Sequence, residues 1–211
     1  MIVDTSRQVA EALIQIGAIG FVVDKPITFK SGIISPIYID NRQLPFHLEE
    51  WKIVLDAFIQ EIRLKKIEYE VVAGIETAGI PHSVALGLLQ NKQSIYVRKA
   101  AKDHGTKKII EGGDVAGRRV LLVEDHVTTG GSSLRGVAPL REQGAIVDYC
   151  LSITSYGLPE AVKAFKNNKV ELVTLTTMKD ILDAGVEMGK MREQDRRVVE
   201  DWLINPREWG K

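Results

Sequence analysis

The chain has 211 residues, 45% of them hydrophobic and 27% charged, with 28 basic residues balanced by 28 acidic ones. This composition is typical of a globular chain able to bury a core, and a net charge of zero excludes a general attraction to nucleic acid or anionic lipid. Cys150 is the only cysteine and no run of 18 apolar residues occurs, which excludes an internal disulfide, a cysteine-rich zinc site and a membrane-spanning helix.

The N-terminal part of the sequence predicts two helices with a punctuated segment between them. Apolar residues recur at the spacing of a helix face over residues 5–16 and again over residues 48–65. Residues 27–41 are rich in isoleucine but interrupted by glycine and proline, which favours short strands or an ordered loop.

From residue 71 onwards, short apolar runs alternate with helical stretches. The runs predict five buried strands, at residues 71–75, 94–97, 120–123, 146–153 and 170–175. Helical patterns cover residues 80–89 and 132–142, and another follows the fifth strand. Continuous apolar strands that alternate with helices indicate an α/β fold, with a mainly parallel sheet covered on both faces.

The third strand leads into the segment with the clearest chemistry. Glu124 and Asp125 follow it directly, and threonines, a glycine pair and serines come before the next helix. Ligands of open α/β sheets bind at the carboxyl ends of strands, and glycines, free N–H groups and hydroxyls can hold a phosphate there. Two carboxylates beside a phosphate need a different partner, and a vicinal diol fits them. Together these groups predict a site for a ribose 5-phosphate.

Other interpretations of the same segment are weaker. A turn that only caps the next helix with a serine is the plain structural alternative for residues 128–133. Its position behind a buried strand that ends in two acids favours the binding site. A Walker lysine and a G-x-G-x-x-G pattern are both absent from the segment, which disfavours mononucleotide and dinucleotide loops.

Residues 120–133 resemble the phosphoribosyl pyrophosphate (PRPP) motif of type I phosphoribosyltransferases. The resemblance implies that Glu124 and Asp125 hold the ribose hydroxyls, with Asp125 near the charge that develops during catalysis. It extends the PRPP contacts to the residues that follow, which are His126, Val127, Thr128, Thr129, Gly130, Gly131 and Ser132. His126 stands where the family usually has an apolar residue, and a packed neutral histidine is the alternative interpretation of it.

Residues 96–108 carry five cationic side chains against one acid. The cations are Arg98, Lys99, Lys102, Lys107 and Lys108, and the acid is Asp103. Positioned cations stabilise the charge that grows on a departing pyrophosphate, and a loop with few apolar anchors can close as a lid. A solvated basic loop is the alternative.

The same segment resembles the catalytic loop of orotate phosphoribosyltransferases. This resemblance implies catalytic roles for Lys102, Asp103 and His104. It implies PRPP contacts for Arg98, Lys99, Lys102 and His104.

Three further segments resemble that family. Residues 28–40 are similar to its N-terminal hood, which implies that Lys30 contacts PRPP and orotate. Tyr38 and Ile39 would then wall the orotate pocket together with Thr128. Residues 74–81 resemble the loop that accepts pyrophosphate and metal through backbone groups, which implies a PRPP contact at Thr77. Residues 201–209 resemble the family's C-terminal helix and tail.

Besides His126, the sequence departs from the family pattern at two places. Ala78 stands where many members carry a lysine, so one expected phosphate contact is missing. Ser155 and Tyr156 stand where many members carry an Asp-Arg pair whose arginine contacts orotate. The orotate carboxylate therefore needs another partner, for which backbone N–H groups or Lys30 are the candidates.

The resemblance covers nearly the whole chain and implies the type I phosphoribosyltransferase fold, a central mainly parallel sheet flanked by helices with a small N-terminal hood. We expect a single domain over residues 1–211, with the N-terminal helix and hood at about 1–45, the α/β core at about 46–190 and the C-terminal helix and tail at about 191–211. The implied reaction transfers the ribose 5-phosphate group of PRPP to orotate, giving orotidine 5-phosphate and pyrophosphate in de novo pyrimidine biosynthesis.

The resemblance also implies the cofactor and the partners. Mg²⁺ would be held mainly by PRPP and water, with no direct protein ligand. The chain would form a homodimer whose lid crosses into the partner's site. We expect a cytoplasmic protein with no nucleic-acid or membrane partner.

Three rival functions differ from this one in what the sequence should contain. A purine phosphoribosyltransferase shares the PRPP motif but should lack the pattern R-K-x-x-K-D-H-G. A PRPP-sensing transcription regulator needs a DNA-binding segment, and the N-terminus offers no basic recognition helix. A nucleotide-binding relative without catalysis would have no use for the retained loop of cations.

Overall fold

The computed structural model describes residues 4–29, 32–99 and 109–210. The chain divides into two compact units, one with the residues up to Ile53 and from Thr176 onwards, the other Val54–Leu175. The helices are α1 (Thr5–Gln15), α2 (Leu48–Leu64), α3 (Gly79–Leu89), α4 (Gly131–Arg135), α5 (Val137–Glu142), α6 (Pro159–Asn167), α7 (Met178–Glu187) and α8 (Glu193–Ile204). The strands are β1 (Ile19–Phe21), β2 (Ile27–Thr28), β3 (Ile34–Ser35), β4 (Ile37–Ile39), β5 (Val71–Ile75), β6 (Gln93–Val97), β7 (Ile110–Glu111), β8 (Val120–Val127), β9 (Tyr149–Ser155) and β10 (Glu171–Thr174).

The first unit combines helices with two small antiparallel sheets. Strand β1 pairs with β4, and β2 pairs with β3. Helix α1 packs against α7, where the Ser6 hydroxyl donates to Asp180 Oδ2 at 2.6 Å. Trp202 of α8 is fully buried and its Nε1–H donates to the Ile34 carbonyl oxygen at 2.7 Å. The C-terminal helix is thereby fixed to strand β3.

The second unit is built around a six-stranded sheet with the order β10-β9-β8-β5-β6-β7. All neighbouring strands are parallel except the edge pair β6–β7, which is antiparallel. Helix α3 packs against β5, β6 and β8. The buried core of the sheet also includes side chains of α5 and α6, namely Val137, Leu140, Ala161 and Phe165. The predicted α/β class with a mainly parallel sheet is confirmed, whereas the single domain with its hood, core and tail stays a prediction.

Most predicted elements lie within a few residues of the observed ones, and three differ for physical reasons. Strand β8 runs four residues past the predicted end, because its parallel pairing with β9 continues to Val127 and Ser155. The predicted helix over residues 132–142 is two short helices that meet at Gly136. Within the long polar segment 100–117, residues 110–111 form strand β7, which the sequence did not predict.

His82 also differs from its prediction as a surface or helix-start residue. It lies in the first turn of α3, but its side chain is fully buried. Burial lowers its pKa to about 4, so the side chain is neutral at physiological pH. Cys150 is a buried thiol in an apolar strand, as predicted. None of the helices in the described ranges is long and apolar enough to cross a membrane.

Helix α3 approaches strand β8 so closely that only glycine fits at its first position. A Cβ on Gly79 would lie 2.4 Å from the Val123 carbonyl oxygen and 3.3 Å from Glu124 Cα. This contact fixes the start of α3 beside the acidic end of β8.

Replacement of Gly79 by alanine should lower the free energy of unfolding by about 1–3 kcal/mol, because the new methyl group must push α3 away from β8. Gly113→Ala is the matched control, since its Cβ would meet only Ile95 Cγ2, at 3.8 Å. The control should change stability by no more than about 0.5 kcal/mol in urea denaturation. Equal stabilities of the two variants would contradict the close approach.

Candidate active site

The candidate site lies in the second unit, at the edge of the sheet formed by the carboxyl ends of its parallel strands. Strands β8, β5 and β6 are neighbours and parallel, so their carboxyl ends meet at the same edge. Each strand delivers a segment that the sequence singled out: residues 124–132 from β8, 76–77 from β5 and 98–99 from β6. The backbone N–H of Lys99 donates to Glu76 Oε2 at 2.8 Å, and the Glu76 N–H donates to the Val97 carbonyl oxygen at 2.9 Å. The structure therefore brings the β5 and β6 segments together.

The loop after β8 combines a glycine in the left-handed region with polar residues that are exposed or half-buried. Gly130 has a φ of +81°, and a Cβ there would lie 2.8 Å from the ring of Phe165. The loop therefore depends on glycine at this position. Gly131 and Ser132 are exposed, and Thr128 and Thr129 are half-buried. Their hydroxyls and backbone N–H groups can donate to a ligand at the edge of the sheet.

The acidic pair is asymmetric. Asp125 is half-buried, whereas Glu124 is only 5% exposed. Glu124 Oε1 accepts from the Asp125 N–H at 3.2 Å, and Oε2 accepts from the Ser133 hydroxyl at 3.1 Å. Burial, followed by the nearby charge of Asp125, holds the pKa of Glu124 well above its usual range, and the Ser133 hydrogen bond opposes that shift.

Arg98 is the first residue after strand β6. Its backbone N–H donates to the Ile109 carbonyl oxygen at 2.8 Å, which fixes the residue just past the end of β6. Its Nη1 atom is buried and has no hydrogen bond partner among the described residues. Lys99 follows as an exposed cation, and Thr77 is exposed beyond the end of β5. The edge of the sheet thus combines three acids, two cations and a glycine-rich loop.

Comparisons with known proteins agree with this arrangement. Over 205 residues, 97% of this chain, it is 37% identical to the orotate phosphoribosyltransferase of Listeria innocua, 98% of which is covered. The Coxiella burnetii enzyme of the same name is 35% identical over 204 residues, with 97% of this chain and 98% of that protein covered. The solved orotate phosphoribosyltransferase of Aeropyrum pernix superposes with a TM-score of 0.75 at 30% identity, covering 86% of this chain and 98% of that one. No family model matches the sequence.

The chain belongs to the orotate phosphoribosyltransferase family.

His126 and Tyr156 mark where this orotate phosphoribosyltransferase family member departs from the common pattern. The two rings pack edge to face with centroids 4.4 Å apart. His126 Nδ1 lies 2.9 Å from Thr154 Oγ1 on the neighbouring strand, and burial lowers the pKa of His126 to about 3. This is the geometry of a packed, neutral histidine, and its predicted contact with PRPP stays a prediction.

Of the remaining predicted site residues of the family member, two are in the first unit and the others fall outside the described residues. Tyr38 and Ile39 are on β4 of the first unit, where the Tyr38 hydroxyl donates to Asp40 Oδ2 at 2.9 Å. Arg42 donates to the same carboxylate through Nε at 2.5 Å and Nη2 at 2.8 Å, and it holds the pKa of Asp40 below its usual value. Outside the described residues lie Lys30, Lys102, Asp103, His104, Lys107 and Lys108.

Sequence reasoning missed two contacts of the site. It assigned Ser133 to the turn and gave Glu76 no role, although both residues lie within the motifs at residues 120–133 and 74–81. Ser133 contacts Glu124 because α4 folds back over the end of β8, and Glu76 contacts Lys99 because β5 and β6 are neighbours. Spacing along the chain gives no signal for either contact.

Protonation of His126 should contribute to acid sensitivity. The folded chain takes up this proton only near pH 3, whereas the unfolded chain takes it up below about pH 6.5, so the stability from this residue falls as the pH is lowered between these values. His126→Asn removes the titrating side chain. Between about pH 4 and 6, urea denaturation should show the wild type losing about 1.4 kcal/mol per pH unit more than the variant. Parallel pH dependences would contradict the buried, neutral state.

Proposed function

We propose that this chain transfers the ribose 5-phosphate group of PRPP to orotate, giving orotidine 5-phosphate and pyrophosphate in pyrimidine biosynthesis. The observation that carries this function is the meeting of three segments at one edge of the sheet: the acid pair with its glycine-rich loop, the Glu76–Thr77 turn and the cationic pair. Such an edge provides groups for a diol, a phosphate and a leaving pyrophosphate. The named relatives, matched over nearly their whole length, support the same reaction.

Each group at the edge has a task in this reaction. Asp125 and Glu124 accept hydrogen bonds from the ribose hydroxyls, and residues 128–132 donate to the 5-phosphate. The ring nitrogen of orotate bonds to C1 of the ribose while the bond from C1 to the pyrophosphate oxygen breaks. Negative charge then grows on pyrophosphate, and Arg98 and Lys99 neutralise it together with Lys102 and His104 of the same loop. Asp125 lies on the ribose side, where positive charge develops.

Magnesium would enter this site together with the phosphates of the substrate. In the described parts of the chain, no group of three or more His, Cys, Asp or Glu side chains could hold a metal ion. Mg²⁺ binds through substrate phosphates and retains water, so one or two protein contacts suffice. Asp125 and the backbone of residues 76–77 are the groups that would meet its waters. When bound, the ion would offset charge on the pyrophosphate.

Substrate specificity tests the function directly. With PRPP and Mg²⁺, release of pyrophosphate should be rapid with orotate and slight with uracil, adenine, hypoxanthine or guanine. The sequence basis is the Arg98–Lys99 segment with the residues after it and the segment around Tyr38, which resemble the orotate enzymes rather than the purine enzymes. Preferred use of any purine would overturn the assignment to orotate. Release of no pyrophosphate with any base would overturn the enzymatic function itself.

We also propose a homodimer, located in the cytoplasm, in which the Lys102 loop of one subunit completes the site of the other. Two variants test this arrangement. Lys102→Ala removes a donor to the leaving group and should lower kcat by about 10²–10³. Asp125→Asn damages the ribose contact at the end of β8. Each variant alone should therefore be nearly inactive.

Mixing the two variants with subunit exchange should restore about a quarter of wild-type activity. About half of the dimers are then hybrids, and one of the two sites in each hybrid has an intact loop and an intact strand end. Lys163→Ala on the exposed face of α6 is a matched lysine control that should stay fully active. If mixing restores nothing despite demonstrated exchange between folded subunits, the loop and the strand end belong to one chain.

A further inference from the structure

Ser133 has no part in the reaction so far, yet its side chain makes a buried hydrogen bond to Glu124. It lies in α4, nine positions after Glu124, and is 2% exposed. Its hydroxyl donates to Glu124 Oε2 at 3.1 Å, and the carboxylate's other oxygen is held by the Asp125 N–H. The Ser133 hydroxyl thus connects helix α4 to strand β8. Because both groups are buried, this hydrogen bond restrains the position of the Glu124 carboxylate.

The surroundings of Glu124 make this hydrogen bond important. Asp125 and His126 follow it on β8. From β9, the only titratable group that faces it is the buried Cys150 thiol. The facing residues of β5 (Val71–Ile75) include no titratable side chain. Helix α3, which begins beside Glu124, carries the buried His82, and α4 carries the Ser133 hydroxyl and the exposed Arg135. Within the described ranges, no cationic side chain hydrogen-bonds to Glu124. The Asp125 side chain also hydrogen-bonds to Glu124 and raises its pKa, so the Ser133 hydroxyl and the Asp125 N–H are the hydrogen bonds that favour the charged form.

We propose that Ser133 is a positioning residue that holds the Glu124 carboxylate where it meets the ribose diol of PRPP. This inference rests on the proposed function, because it assigns a partner to one of the groups that bind PRPP. Ser133 itself acts through Glu124 and needs no contact with the substrate. Its position in the first turn of α4 also ties the phosphate-binding loop to the end of β8, so the diol and phosphate contacts keep a fixed separation.

Removal of the hydroxyl should therefore change how PRPP binding depends on pH. A hydrogen bond to a charged group is strong enough to move the pKa of that group by about one to two units. Without Ser133 the protonated form of Glu124 is favoured, and a protonated carboxyl accepts poorly from a diol. PRPP affinity falls as the pH is lowered, and this fall, the acidic limb of the profile, should move to higher pH in the variant. The loss of affinity relative to wild type should shrink as the pH rises.

The experiment measures the Kd of PRPP with Mg²⁺ by titration calorimetry between about pH 5.5 and 9, using the full chain. Ser133→Ala should move the acidic limb up by about one pH unit and weaken binding about tenfold on that limb. Ser133→Thr, which keeps the hydroxyl, should restore the wild-type profile. Ser83→Ala is the matched control, because it removes a buried hydroxyl that donates only to the Ile80 carbonyl oxygen, at 2.9 Å.

Glu124→Gln separates a specific effect from a general one. In that background the titrating carboxylate is gone, so adding Ser133→Ala should cause no further shift of the acidic limb. A limb that still moves, a Ser133→Ala profile equal to wild type, or a weakening that is uniform at every pH would overturn the positioning role. If the wild type bound PRPP normally in those cases, the proposed function would stand. A wild type that binds no PRPP would overturn both.

Discussion

Parallel pairing of β8 with β5 and of β5 with β6 is the constraint on which the site depends. The register aligns Val71 with Val120 and with Gln93, so the three strands start together at one edge and end together at the other. Their carboxyl ends therefore bring together segments that are more than twenty residues apart in sequence. A shift of one residue in any of these pairs would turn the side chains of that strand to the opposite face of the sheet.

Burial of the acid pair follows from the same sheet. Because pairing of β8 with β9 continues to Val127, Glu124 is inside the strand rather than in a loop after it. A carboxylate in that position loses its water and must be compensated by hydrogen bonds. Donors come from the backbone of Asp125 and from Ser133, while the half-buried Asp125 keeps access to the edge. The two acids share a motif but differ in environment, and their roles in binding a diol need not be equal.

The sequence predicted the sheet well because buried parallel strands leave a simple signal. Strand β5 and the helices α1 and α2 match their predicted bounds to within a residue or two, since most of the apolar residues that set their periodicity are buried. The true end of β8 was missed because Glu124 and Asp125 look like loop residues, although pairing with β9 keeps them in the strand. Burial of His82 was missed for a similar reason, since histidine and serine at the start of α3 resemble a solvated turn. Contacts such as Ser133–Glu124 depend on how α4 folds back, which local propensity does not determine.

Charge at the site is organised locally, in a chain whose net charge is zero. Acids occupy the end of β8 and cations occupy the residues after β6, with β5 lying between these two strands. Under the proposed function, this order places the acids on the ribose side of PRPP and the cations on its pyrophosphate side. The buried Nη1 of Arg98 has no hydrogen bond partner among the described residues, which is costly for a charged group. A bound anion would offset that cost, which is the part that the proposed function gives to the pyrophosphate of PRPP.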